Sequence, residues 1–215
     1  MFILGHLGIT LGAAVLLNGA LTKGALPHPK GSLDSSPKMS AAGDYPSGRM
    51  ASWFATLGER IDIRVLLIGS LLPDIIDKPL GYLFFRETFS NVRLFSHTLL
   101  FLILITIAGF ILYRSRRKTW LFVLSFGTFT HLLCDRMWRI PQTLFWPMYG
   151  FTFIKKDLTH WAERIGTDLV TDPSTYIPEI VGGVILILFL WVVVSNGKLL
   201  TFIRHGKLYD TASGR

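Results

Sequence analysis

The chain has 215 residues, half of them hydrophobic and 17% charged, with 22 Lys and Arg against 14 Asp and Glu for a net charge of +8. Its one cysteine, Cys134, excludes an internal disulfide and any thiolate metal cluster. The basic excess would suggest nucleic acid in a soluble protein. Here it collects in the connections between long apolar runs, so membrane topology accounts for it and no nucleic acid partner is expected.

The first apolar run, 1–21, has no basic leading region and no small-residue cleavage site, so it reads as a retained helix and not a signal peptide. Gly8 and Gly12 form a small-xxx-small pair that would let another helix come close, though simple tolerance of glycine in a membrane helix explains them equally. Residues 23–60 follow, rich in Gly, Pro, Ser and Ala, and read as a flexible cytoplasmic loop with a short interfacial helix near 50–57. The second run, 61–83, is interrupted by Asp74, Asp77 and Lys78 and is expected to be broken or partly re-entrant. The third, 94–113, and fourth, 120–138, are joined by the turn Arg114-Ser115-Arg116-Arg117-Lys118, which is short and basic and therefore the strongest marker of the cytoplasmic side. Residues 139–175 form an outer loop whose Trp146, Tyr149, Phe151, Phe153 and Trp161 suit the membrane–water boundary. The fifth run, 176–194, ends in a basic cytoplasmic tail, 196–215.

A crossing needs about 20 apolar helical residues. The expectation is an all-α, polytopic membrane helix bundle of about five segments, one embedded domain over 1–195, with the N-terminus outside and the C-terminus in the cytoplasm. No internal repeat and no soluble domain is evident. The cell membrane is the expected location.

Alternating direction brings ionisable residues of four runs to one level. His6 lies near the outer start of the first run, Asp74 and Asp77 toward the outer end of the second, His97 at the start of the third, and His131 with Asp135 at the end of the fourth. Ionisable groups are costly inside a bilayer and usually mark function. His131 and Asp135 are four residues apart and share a helix face. Each has a plainer reading when taken alone: a helix-to-helix hydrogen bond for His6, a turn or cap for Asp74 after Pro73. Their common level favours one shared site. Arg136 and Arg139 follow Asp135 and are candidates to bind a phosphate oxygen, or else they reach for lipid headgroups. His160 and Glu163 form either a peripheral ligand pair or solvated loop residues, whereas His28 and His205 fall on the cytoplasmic side.

Imidazole and carboxylate without thiolate suit a divalent Zn, or Mn or Fe, as one or two ions. Such a site can activate water against a phosphoester, with Asp74 or Asp77 as general base. The alternatives are a metal or solute transporter, for which the polar path below His131 is thin, and a scaffold in which metal only ties helices together.

The segments Leu72-Pro73-Asp74-Ile75-Ile76-Asp77, Ser96-His97-Thr98, Thr130-His131-Leu132-Leu133-Cys134-Asp135 and Trp146-Pro147 together resemble the YdjM-like family of membrane-bound metal-dependent hydrolases, from His6 to about Phe151. That family looks distantly similar to zinc-dependent phospholipase C and the P1-type nucleases. The resemblance implies that His6, Asp74, His97, His131 and Asp135 are metal ligands, with Asp77 beside them, and that the substrate is a phosphoester, here of a membrane lipid or lipid-linked molecule. The chain departs from the family pattern in having Val92-Arg93 where His-Arg is common, and in spacing its carboxylates as Asp-x-x-Asp, one residue wider than usual.

Overall fold

The computed structural model describes residues 2–23, 57, 61–84, 91–154 and 161–206. Within them the regular structure is helical: α1 (Ile3–Lys23), α2 (Ile63–Pro79) running into a π-turn (Leu80–Phe84), a 3-10 turn (Phe95–His97), α3 (Leu99–Arg116), α4 (Trp120–Cys134), a second 3-10 turn (Met137–Arg139), α5 (Pro141–Leu144), α6 (Trp161–Thr171), α7 (Pro173–Ser195) and α8 (Leu199–His205). Three of these, α1, α3 and α7, are long and apolar enough to cross a membrane. At 15 residues α4 is equally apolar in character but shorter, roughly 22 Å. The expected interfacial helix at 50–57 lies, apart from Leu57, outside the described residues, as do His160 and the end of the tail.

Two glycine crossings hold the bundle. α1 packs on α7 where Gly8 meets Gly182, and a Cβ on either would overlap the other helix's backbone. The small-xxx-small pair therefore has a partner at Gly8, while Gly12 faces the Ile185 side chain. α2 packs on α4 at Gly69 and Gly127 in the same manner. Close backbone approach is how helices associate where lipid offers no hydrophobic drive. Hydroxyls add specific ties: Thr10 to Thr130 at 2.8 Å and Thr106 to Ser125 at 2.6 Å. Pro73 has no N–H, so the Gly69 carbonyl one turn earlier loses its helical partner, and the Thr128 hydroxyl of α4 donates to it at 3.3 Å. Leu11, Ala14, Val15, Leu66, Val123, Phe189, Val192 and Val193 form the buried apolar core. Outward, α3 and α7 expose Ile103, Leu104, Phe110, Ile111, Ile187 and Trp191, an apolar belt suited to lipid.

Three departures from the sequence expectation have local causes. The stretch read as an outer loop contains α6, which stops because Pro173 forces Asp172 out of helical geometry (φ −98°, ψ 106°) and Asp172 then caps α7. The stretch read as a free tail begins with α8, whose Gly206 takes a left-handed conformation and accepts a hydrogen bond from Ile63 N–H at the start of α2. The fourth run does not continue as helix to 138: it ends at Cys134, and Arg136 turns the chain with φ 52°.

Candidate metal centre

The helices run so that the start of α1, the end of α2, the residues just before α3 and the end of α4 come together. This meeting places His6, Asp74, His97, His131 and Asp135 in one cluster. All three imidazoles are fully buried, and the Asp135 and Asp74 side chains are only 3% and 13% exposed.

The two central histidines are fixed from behind. His131 Nδ1 lies 2.7 Å from the Ser70 carbonyl, which can only accept, so this nitrogen carries the proton and donates. His97 Nδ1 lies 2.7 Å from Asp77 Oδ2 and donates in the same way. Each ring therefore turns an Nε2 lone pair inward, and the two Nε2 atoms face each other at 3.3 Å. Two lone pairs at that separation repel unless a cation or proton lies between them. Asp74 Oδ1 stands 3.6 Å from His97 Nε2 and 3.9 Å from His131 Nε2, and Asp135 Oδ2 stands 3.8 Å from His97 Nε2. Ligands bound at about 2.0–2.1 Å in a tetrahedron sit roughly 3.3–3.4 Å apart, so small adjustments would close these donors on one ion.

His6 supplies an independent observation. Its ring stacks on His131 with centroids 4.1 Å apart and planes 17° from parallel, and neither ring nitrogen has a hydrogen-bond partner. A wholly buried, unsatisfied imidazole is costly and calls for an explanation. Its Nε2 lies 3.4 Å from Asp135 Oδ1, the oxygen of that carboxylate not turned to His97. Among the described residues two ligand trios result, His6–His131–Asp135 and Asp74–His97–His131. They share His131, whose Nε2 has a single lone pair, so both cannot be filled independently. The donors fit one ion, or two joined through the Asp135 carboxylate.

Asp77 takes a different place from the other candidates. Its carboxylate accepts from the backbone N–H of Leu94 at 2.6 Å, Ser96 at 3.1 Å and His97 at 3.2 Å, besides the His97 ring. It is fully buried and its acceptor positions are taken, so it orients His97 from outside the cluster, leaving no room for work as a general base. The Ser96 hydroxyl ties the same turn to the Pro73 carbonyl at 2.9 Å.

Arg136 and Arg139 do not share the face of Asp135, because the helix stops before them. Arg139 is exposed. Arg136 lies toward the start of α7: the Thr175 and Ser174 hydroxyls and the Ser174 amide hold the Asp172 carboxyl below its ordinary pKa, and the charge of Arg136 adds to this. The arginine that does reach the cluster is Arg93, with Nε 2.7 Å from Asp135 Oδ2. Lys78 likewise reaches Asp74 Oδ2 at 2.7 Å. No periodicity pointed to Arg93, since it precedes α3 in a non-helical stretch held by Asn91, which accepts from Arg93 N–H and donates to the Ile154 carbonyl. Glu179 likewise carries no sequence signal for its place. From α7 it accepts from the Phe2 and Gly5 amides and so caps the start of α1, the turn that carries His6. Glu163 lies in α6.

An aromatic group adjoins the cluster: Phe95, next to Ser96 and His97, meets Trp146 and Phe153 edge-on, each at 5.3 Å. The Trp-Pro motif is thereby packed against the turn that delivers His97.

The chain matches the YdjM inner membrane protein family over residues 39–200, most of its length, and belongs to that family. The matched span includes Asp74, Asp77, His97, His131, Asp135 and Trp146-Pro147 but begins after α1, so His6 lies outside it and stands in the set by its place beside His131 and Asp135. No curated protein and no solved structure matches the chain.

Proposed function

We propose that this membrane protein is a metal-dependent hydrolase that cleaves a phosphoester of a phospholipid or lipid-linked substrate at the extracytoplasmic face. The observation that carries the reading is the pair of buried Nε2 atoms 3.3 Å apart, each ring locked from behind by an acceptor, with two carboxylates converging on the same point. Zinc suits this donor set best, with Mn or Fe as alternatives. When bound, such an ion polarises a phosphoryl oxygen and makes a water nucleophilic near neutral pH.

The protein's own groups have separable tasks. His97, His131, Asp74 and Asp135 hold the ion, with His6 on the Asp135 side. Asp77 and the Ser70 carbonyl fix the two imidazoles and keep their Nδ1 protons in place. Asp74 is the most exposed carboxylate of the group, so its side of the ion would be the one open to an entering water.

Elemental analysis of the purified protein, joined to a screen of phospholipids and short-chain phosphoesters, tests the reading. One or two equivalents of transition metal are expected, with hydrolysis lost on chelation and in His131→Ala. Absence of both metal and hydrolysis would sink it. The side of the membrane is tested in a Cys134→Ser background carrying Met148→Cys, since Met148 is exposed near the same end of the bundle. Labelling of intact cells by an impermeant maleimide is expected, and labelling only after lysis reverses the orientation.

A further inference from the structure

Each carboxylate that faces the imidazole cluster has its Oδ2 bound by a cation. Lys78 Nζ holds Asp74 Oδ2 and Arg93 Nε holds Asp135 Oδ2, both at 2.7 Å. The two cations are also the open part of the site. Lys78 is 43% exposed and Arg93 25%, whereas the three imidazoles are fully buried and Asp135 is 3% exposed. Anything entering from solvent or from the headgroup layer meets Lys78, Arg93 and Asp74 before it meets a histidine.

We infer that Lys78 and Arg93 form a two-armed clamp for the phosphate of the substrate, which makes the substrate an anionic phosphoester. This inference rests on the hydrolase reading above. Simple neutralisation of the two aspartates would occupy these side chains only in part. Lys78 uses one of three N–H donors on Asp74, and Arg93 uses one of five on Asp135, among the described residues. The remaining donors belong to partly exposed side chains, and a guanidinium pinned through Nε still presents a terminal pair to an anion. The cations also offset the charge of Asp74 and Asp135, which would otherwise repel an anionic substrate from the ion. Arg93 is set rigidly enough for the task, because Asn91 and Asp77 fix the backbone on both sides of it.

The test is binding of inorganic phosphate, and separately of dihexanoyl phosphatidic acid, to zinc-loaded full-length protein in a maltoside detergent, read as ligand-induced shift of Tm with metal content measured alongside. The wild type is expected to bind both. Arg93→Gln should weaken binding tenfold or more and Lys78→Met several-fold at unchanged metal content, with Arg93→Lys recovering part of the loss. Arg116→Gln, at the opposite end of the bundle, should bind as wild type. Tighter binding of the lipid than of phosphate identifies a headgroup as the source of the anion, and equal binding points to a soluble phosphoester; both support the clamp. If Arg93→Gln does not fold, Arg93→Lys and Lys78→Met decide. The clamp is overturned if loaded wild type ignores phosphate, or if the variants bind it as wild type does. If the protein takes up no metal, the hydrolase reading fails on its own, and the same titration on metal-free protein still decides the clamp.

Discussion

The two ends of the helix bundle are built on opposite principles. At one end the helices bury ionisable groups: three imidazoles and the carboxylates of Asp77, Asp135 and most of Asp74 lie out of contact with water. At the other, Leu11, Ala14, Val15, Leu66 and Val123 pack as an ordinary apolar core, and the ionic contact there, Asp62 with Arg64, is partly exposed. The apolar end needs nothing beyond its own packing. The polar end contains a buried histidine with no hydrogen-bond partner for either nitrogen and two Nε2 atoms that face each other, an arrangement that a cation or a proton would satisfy. Stability at one end and ligand binding at the other should therefore respond to different substitutions.

His131→Ala is expected to have the largest effect. It removes the one donor common to both ligand trios, and metal affinity should fall by more than about 100-fold, since even the loss of an outer partner typically costs 10–100-fold. Equilibrium dialysis with zinc reads this directly, and unchanged affinity would show that the cluster is not a metal site. Asp77→Asn should come next, at roughly 10–100-fold in metal affinity. The amide keeps the size of the carboxylate but has one oxygen for two acceptor positions, so its NH2 faces either the Ser96 amide or those of Leu94 and His97, loosening the turn that carries His97. Hydrogen exchange at residues 94–98 should rise with it. A variant that loses metal without faster exchange there would mean that Asp77 binds the ion itself.

Leu66→Ala probes the other end. Leu66 is fully buried between helices, and its truncation should cost about 2–3 kcal/mol by leaving a cavity. Zinc affinity should stay within a factor of about two, because sites this far apart usually act independently. Equal losses in stability and affinity would show that the two ends are coupled through α2 and α4.

Much of this division can be read from the sequence because it follows periodicity and alternating direction. Hydrophobic runs delimit α1, α3 and α7 to within a few residues, and their antiparallel order suffices to bring His6, Asp74, His97, His131 and Asp135 to one level. What could not be read depends on where chain leaves a helix. Arg93 reaches Asp135 from an irregular stretch with no period, and Arg139, four residues beyond Asp135, does not share its face because the helix ends at Cys134. Spacing records only residue type and sets Asp77 beside the other candidates. Its hydrogen bonds go to three backbone amides from a turn seventeen to twenty residues away. The docking of α8 is likewise invisible in a basic tail, since it depends on the Gly206 carbonyl and on Arg64 donating to the carbonyls of Ile203 and Arg204.

The smallest effect belongs to Asp62, and it separates two roles of one side chain. Asp62 caps α2 by accepting from Arg64 N–H at 2.9 Å and also pairs with the Arg64 guanidinium at 2.8 Å. Partial burial pushes its carboxyl upward, but the bonds from the Arg64 side chain and backbone outweigh this and hold its pKa below the ordinary 3.8. A carboxyl depressed in the folded state stabilises the fold fully above its unfolded pKa, and that contribution disappears as pH falls through the depressed value. Stability should thus be flat in this respect near neutrality and decline below about pH 4. Asp62→Asn keeps the capping oxygen and removes the charge, so it should cost less than about 1 kcal/mol at pH 7 and flatten part of the acid slope. Asp62→Ala removes the cap as well and should cost about 1 kcal/mol more. Thermal unfolding from pH 3 to 7 distinguishes the two. An Asp62→Asn profile identical to that of the wild type would mean that the pair with Arg64 contributes nothing and that the cap alone secures the start of α2.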